Sequence, residues 1–299
     1  MNNYRKLCIV AAIAVLGCLT VVTNSCGLYA HHQVEQEINK LREAQNRLLK
    51  NPNDVDSLAL ILDMLRHGSG VTRGNAAKIL GELADQIGAS IADKAVPALI
   101  HLLETGDGFD KDATSEALKH FGPSAKSAIP ALRRNLKPGD SAAWNSAEAL
   151  GAMGEAAREA VPDLVNVIME RQKEYLDNGP HICKFAAQAL GKIGPAAKEA
   201  VPALETLLDH SNPYFRGHVA IAVISIDPAN RKAFSSLEGL LKSSNVEVRR
   251  EILWSIEDMG TRAAPLKGLI RQALEDHDEV VRRAAARLLQ SLGDKGSKN

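Results

Sequence analysis

The chain has 299 residues, enough for one elongated array or two ordinary domains, with 45% apolar, 24% charged and only 4% aromatic residues. Lys plus Arg and Asp plus Glu balance at 36 each, which argues against a phosphate-backbone binder, so nucleic acid is excluded as the expected partner. Of four cysteines, Cys8, Cys18 and Cys26 crowd the first 26 residues and only Cys183 lies in the body, which excludes a disulfide framework there.

Residues 1–30 read as an export signal or membrane anchor. Arg5 and Lys6 precede an uncharged apolar run from Leu7 to Thr23, which would span about 25 Å as a helix. No Lys or Arg occurs after it until Lys40, so the positive-inside rule leaves the N-terminus in the cytoplasm and the rest of the chain outside it. Two endings stay open. Val15-Leu16-Gly17-Cys18 resembles a bacterial lipobox with Cys18 as the lipid acceptor (Cys26 is the alternative), but the apolar run continues through Val22, as in an uncleaved signal anchor. Both endings hold the protein at a membrane.

Residues 31–54 read as a helical stalk or N-terminal cap, with one helix from Val34 to Lys50 carrying Val34, Ile38, Leu41 and Leu48 on a stripe. Asn51-Pro52-Asn53-Asp54 ends it and caps the next helix.

Residues 55–293 repeat. The stretch from Ala149-Leu150-Gly151-Ala152-Met153-Gly154 through Pro162 nearly matches that from Ala189-Leu190-Gly191-Lys192-Ile193-Gly194 through Pro202. Later copies close a helix at Ile226-Asp227, Met259-Gly260 and Leu292-Gly293, a period of about 33 residues. Helix A of each unit is apolar at helical spacing and usually ends at a glycine that supplies a left-handed cap. Pro97, Pro130, Pro162, Pro202 and Pro265 stand near the start of helix B, where a missing N–H costs little. Neither helix can bury its stripe alone, so the units must stack. The expected fold is all-α, an α-solenoid of antiparallel helix pairs without strand.

A second periodicity runs beside the first. Asn212, Asn245 and Asp278 suit N-caps, and Arg216, Arg249 and Arg282 come four residues after each, placed to bridge between units as a structural ladder. A cap, then an arginine, then a helix closing on Leu-x-x-x-Gly or a near relative resembles the short HEAT-like repeats of phycobilisome lyases, within the armadillo-type superfamily. The resemblance implies the solenoid and very little about function. Residues 294–299 read as a disordered polar tail.

No HExxH, CxxC or Gly-rich phosphate loop occurs, so no catalytic, cofactor-binding or metal residue is expected. Some HEAT-repeat enzymes hold iron with His-Glu dipeptides; none of the nine histidines here precedes a glutamate. Aligning the B helices turns Ile100/Glu104, Arg133/Lys137, Val165/Met169, Glu205/Asp209, Glu238/Lys242 and Arg271/Glu275 outward. The apolar Val165/Met169, with an extension over 170–179 after it, marks the candidate protein-binding surface, with Arg133, Lys137, Glu205 and Asp209 around it. The expected function is a non-catalytic protein-binding scaffold at a membrane, its solenoid outside the cytoplasm, with no cofactor and no small-molecule substrate. The alternative, from the resemblance, is a bilin-lyase-like protein or lyase subunit.

Overall fold

The computed structural model describes residues 32–137, 142–172 and 182–294. Residues 1–31, with Cys18 and Cys26, most of the 170–179 extension and residues 295–299 lie outside the described residues. Those described are helical, with no strand among them. Helix α1 covers residues 32–50. After it come α2 (Val55–His67), α3 (Gly70–Thr105), α4 (Gly108–Phe121), α5 (Ile129–Arg134), α6 (Ala143–Ala152) and α7 (Val161–Arg171). The row continues with α8 (Ile182–Ile193), α9 (Val201–Glu205), α10 (Pro213–Ile226), α11 (Arg231–Leu241), α12 (Val246–Glu257), α13 (Lys267–Gln272) and α14 (Glu279–Ser291). α3 is broken at Ile87 (φ −133°, ψ 20°), which divides it into an A and a B helix. From there A helices (α4, α6, α8, α10, α12) alternate with B helices (α5, α7, α9, α11, α13), and α14 ends the row as a lone A helix.

Each turn from A to B has a cause in the sequence. Gly154 (φ 59°) and Gly194 (φ 72°) stop their helices in the left-handed region, where a side chain is resisted. The linkers beyond these glycines are more ordered than loops: the segments Gly122–Ala128, Gly154–Ala160, Gly194–Ala200 and Gly260–Leu266 are 3-10 helices. At three residues per turn, positions three apart share a face. That spacing turns Ala125 and Ala128, Ala157 and Ala160, Ala197 and Ala200, then Ala263 and Leu266 inward, all buried. Pro130, Pro162 and Pro202 then occupy the first turn of helix B.

A helices stack closely because they meet through small residues. A Cβ on Gly151 would lie 2.9 Å from Ala189 Cα, and one on Gly191 3.3 Å from Ala222 Cα. Glycine in the Ala-Leu-Gly motif is therefore a packing requirement as well as a repeat marker. A single apolar core runs the length of the array and takes in Leu41, Ala44 and Leu48 of α1. α1 also reaches α3 directly, Gln45 Nε2 donating to Glu82 Oε2 at 2.8 Å and Glu37 Oε2 accepting from Thr72 Oγ1 at 2.6 Å. This helix packs as part of the stack. At the other end Asp294 is held by Arg271 (2.9 and 3.0 Å) and its N–H reaches Leu289 O at 2.9 Å.

Leu190 is fully buried on α8. Leu190→Ala should cost about 2–5 kcal/mol in a denaturant titration, the range for leucine cavities in close-packed cores. A loss under about 1 kcal/mol would show that the interface relaxes around the missing atoms.

Candidate partner-binding face

The caps and the arginines of the ladder take different partners. Asn212 accepts from Tyr214 and Phe215 N–H, Asn245 from Glu247 N–H, and Asp278 from Val281 N–H. The arginines fold back to the turn before their own helix. Arg216 Nη1 donates to His210 O (2.8 Å), Arg249 Nη1 to Ser243 O (2.7 Å) and Arg282 Nη1 to Asp276 O (2.7 Å). Of these three, Arg249 also grips Asp276 in the next turn, at 2.7 and 2.9 Å. The fork of an arginine has donors enough for both tasks, and the carbonyls ending a helix need donors. Arg250, beside it, bonds the next cap, Asp278, at 3.1 and 2.8 Å.

The same device begins earlier than the 33-residue spacing shows. Ser69 caps α3, and Arg73, four residues on, donates to Gly68 O (3.2 Å) and clamps the buried Asp110 of α4 with Nη2–Oδ2 at 2.6 Å. Cap-plus-four is visible in the sequence there; only the irregular spacing hides it.

The B-helix surface is largely occupied by bonds between units. Arg133 pairs with Asp163 (2.5 Å) and Glu159 (3.5 Å). Glu205 accepts from Asn230 (2.6 Å) and Lys232 (2.9 Å), and Arg134 bonds Glu104. Lys137 and Asp209 are exposed. Val165 is half-buried against the core, which corrects its expected place on the open surface, and Met169 is 38% exposed. B helices stand far enough apart for long charged side chains to bridge them, whereas A helices touch through alanine and glycine.

Exposed aromatic side chains lie on the A helices instead: Phe109 (59%), Trp144 (37%) and Trp254 (43%). Helical spacing puts Phe109 with Ala113, Trp144 with Glu148, and Trp254 with Asp258, each pair one turn apart on one stripe. Trp144 meets Phe185 of the next A helix edge-on, ring centroids 5.9 Å apart. Two grooves open on this face. One, of about 420 Å³, lies between α3 and α4 under Phe109, and Glu82, Glu116 and His120 line it. The other, of about 210 Å³, has α10 as its floor and includes Gln188 and Lys192 of α8, Asp258 at the end of α12 and Arg262. Buried polar side chains line it, His218 and Ser225 of α10 and Ser255 of α12. Burial, then the nearby Lys184 charge, pushes His218 down to about 3, so its ring is neutral at pH 7. Burial also raises the Asp258 carboxyl.

Cys183 is buried, its Sγ 3.9 Å from the carbonyls of Val167 and Ile168, in the place of a small apolar side chain. Among the described residues no group of three or more His, Cys, Asp or Glu is placed to hold a metal ion, and no helix is long and apolar enough to cross a membrane.

A glycine-ended A helix, a 3-10 linker and a proline-started B helix make up the repeating unit, and family comparison agrees with that geometry. Residues 177–257 and 235–299 match the HEAT repeats model, and residues 72–105 match the PBS lyase HEAT-like repeat. Residues 177–299 are HEAT repeats, and residues 72–105 are a HEAT-like repeat. No curated protein matches the chain. Among solved structures, an engineered protein is 21% identical with a TM-score of 0.53, covering 87% of this chain and 74% of its own. The complex of CpcE and CpcF of phycocyanin lyase from Nostoc sp. PCC7120 is 22% identical with a TM-score of 0.53, covering 79% of this chain and 94% of its own. An archaeal HEAT-like repeats protein from Thermococcus onnurineus NA1 is 12% identical at a TM-score of 0.44 over 85% and 92%. Likeness at this level concerns the HEAT-like fold.

The ladder has a pH signature. The Arg250 guanidinium, then the Val281 N–H, lower the Asp278 carboxyl from 3.8 to about 2. A depressed acid stabilises the fold above its unfolded value, so this contribution is complete above about pH 4 and disappears as pH falls through about 2. Arg250→Ala should move the Asp278 midpoint up toward 3.8 in a carboxyl NMR titration. An unchanged midpoint would assign the shift to the cap alone.

Proposed function

We propose that this chain is a non-catalytic scaffold that binds a protein partner across its A-helix face and is held at a membrane by its N-terminal segment. One observation carries the binding reading. Phe109, Trp144 and Trp254 stand exposed on the face that also holds both grooves, while the B helices spend most of their outward charges on one another. Exposed aromatics beside a groove favour recognition of another protein, because a few such anchors dominate interface energy. HEAT-like repeats support a scaffold in general terms, since stacked units present a long continuous surface. The membrane reading rests on Arg5, Lys6 and the apolar run Leu7–Thr23, with either an uncleaved anchor or a lipid on Cys18 or Cys26. By that reading the solenoid lies outside the cytoplasm. A bilin-lyase-like role, the alternative, rests on likeness of the repeats to those of a phycocyanin lyase complex and on nothing in the grooves.

Photo-crosslinking groups placed in the full chain at position 254 and at position 169 separate the two faces. Partner crosslinks should form from 254, and Trp254→Asp should weaken binding by about 2 kcal/mol or more, as at an interface anchor. Crosslinks from 169 alone would move the interface to the B helices around Val165 and Met169, and crosslinks from neither would remove the scaffold reading. Carbonate extraction tests the anchor: the full chain should stay with membranes and the chain lacking residues 1–26 should not.

A further inference from the structure

α10 differs from every other A helix in how it is covered. Phe215 and the whole run Gly217–Ile226 are buried, so it has no open face comparable to those carrying Trp144 or Trp254. A helix apolar all round belongs inside, and two bonds explain how a helix in a single-file stack becomes interior. Lys184 Nζ of α8 reaches Glu251 Oε1 of α12 at 3.4 Å, passing over α10 beside His218, whose Nε2 is 3.9 Å from the same carboxylate. At the other end, Arg262 Nη1 donates to Gly191 O and Lys192 O at 2.8 Å each, meeting the carbonyls that end α8. Both bonds skip a unit, spanning 67 and 70–71 residues, whereas the Arg249–Asp276 bond spans 27 and reaches only the next turn. On α8 their anchor points are seven residues apart, about 10 Å along the helix.

The linker after α10 makes the second bond possible. Asp227 replaces the capping glycine, α11 begins at Arg231, and the 3-10 segment present after α4, α6, α8 and α12 is missing. A gap is left between the segments Gly194–Ala200 and Gly260–Leu266, and Arg262 crosses it. The groove floored by His218, Ile221, Ala222 and Ser225 lies between the two bonds.

We infer that Lys184–Glu251 and Arg262 are paired straps that hold α8 and α12 together over α10, and that their release widens the groove on the A-helix face. Each strap is a charged side chain at the surface, and α8 and α12 are otherwise separated by α10, so the direct links between them are interactions a binding partner can replace. Widening exposes more of His218, Ser225 and Ser255, which line the groove but are nearly buried while the straps stand. The inference is independent of which face binds the partner.

Hydrogen exchange of the full chain tests it. The double variant Lys184→Ala, Arg262→Ala should speed amide exchange in Val219–Ile226 about tenfold or more, while α4 and α14 keep wild-type rates and far-UV circular dichroism is unchanged. Lys184→Glu should speed exchange in the same segment, and adding Glu251→Lys should restore protection, since the swapped pair rebuilds one strap. Unchanged exchange in α10 of the double variant would overturn the inference. So would equal acceleration in every helix, or a swap that fails to restore protection.

Discussion

How closely consecutive A helices approach is the constraint on which the other features of the array depend. Contact through Ala and Gly at positions such as Gly151–Ala189 and Gly191–Ala222 leaves no room for a larger side chain, and close packing makes that tolerance strict. Helices joined as rigid pairs cannot be equally close in both layers of a bending stack. The B layer is the wider one, and it is filled by Arg133–Asp163, Glu205–Lys232 and Arg271–Asp294 rather than by carbon. Surface ion pairs of this kind contribute little each. The apolar seam between A helices therefore supplies most of the cohesion, and the charged B layer sets the spacing.

Local chemistry is legible in the chain. A helix ending at Gly194 and a B helix opening at Pro202 result from backbone preferences that need no tertiary knowledge. Asn212, Asn245 and Asp278 are readable as caps for the same reason: a side-chain oxygen and an N–H two or three residues on settle the matter. The linker is less legible. Gly-x-x-Ala-x-x-Ala carries a period of three, and its meaning as a 3-10 turn depends on the neighbouring linker pressing against it.

The exposed face is hard to read for a physical reason. Turning Arg133 and Glu205 outward is correct as helix phase, but phase cannot tell an open charge from one bridged to the next unit. Val165 fails in the same way, since its half-burial depends on the distance to its neighbours. Trp144 and Trp254 are large apolar residues that composition alone would assign to a core. Only the stack shows that the core stripe is already complete with Leu150 and Leu253, leaving the tryptophans outside.

α10 shows what a repeat loses and gains when one unit departs from the pattern. Without glycine at 227 the 3-10 segment is absent, and with it the alanines that would have packed against the linkers on either side. The apolar character missing from the linker reappears in the helix, where Val219, Ile221, Val223 and Ile224 are all buried. Burying that helix on every side requires something to reach across it. Both bridging groups are cationic side chains long enough to span a unit, and one of them ends on backbone carbonyls that every helix leaves unpaired. A seam of small residues, Gly191 against Ala222, fixes α10 to α8. Charged side chains laid over α10 leave the direct link between α8 and α12 separable, next to the aromatic residues that a partner would meet.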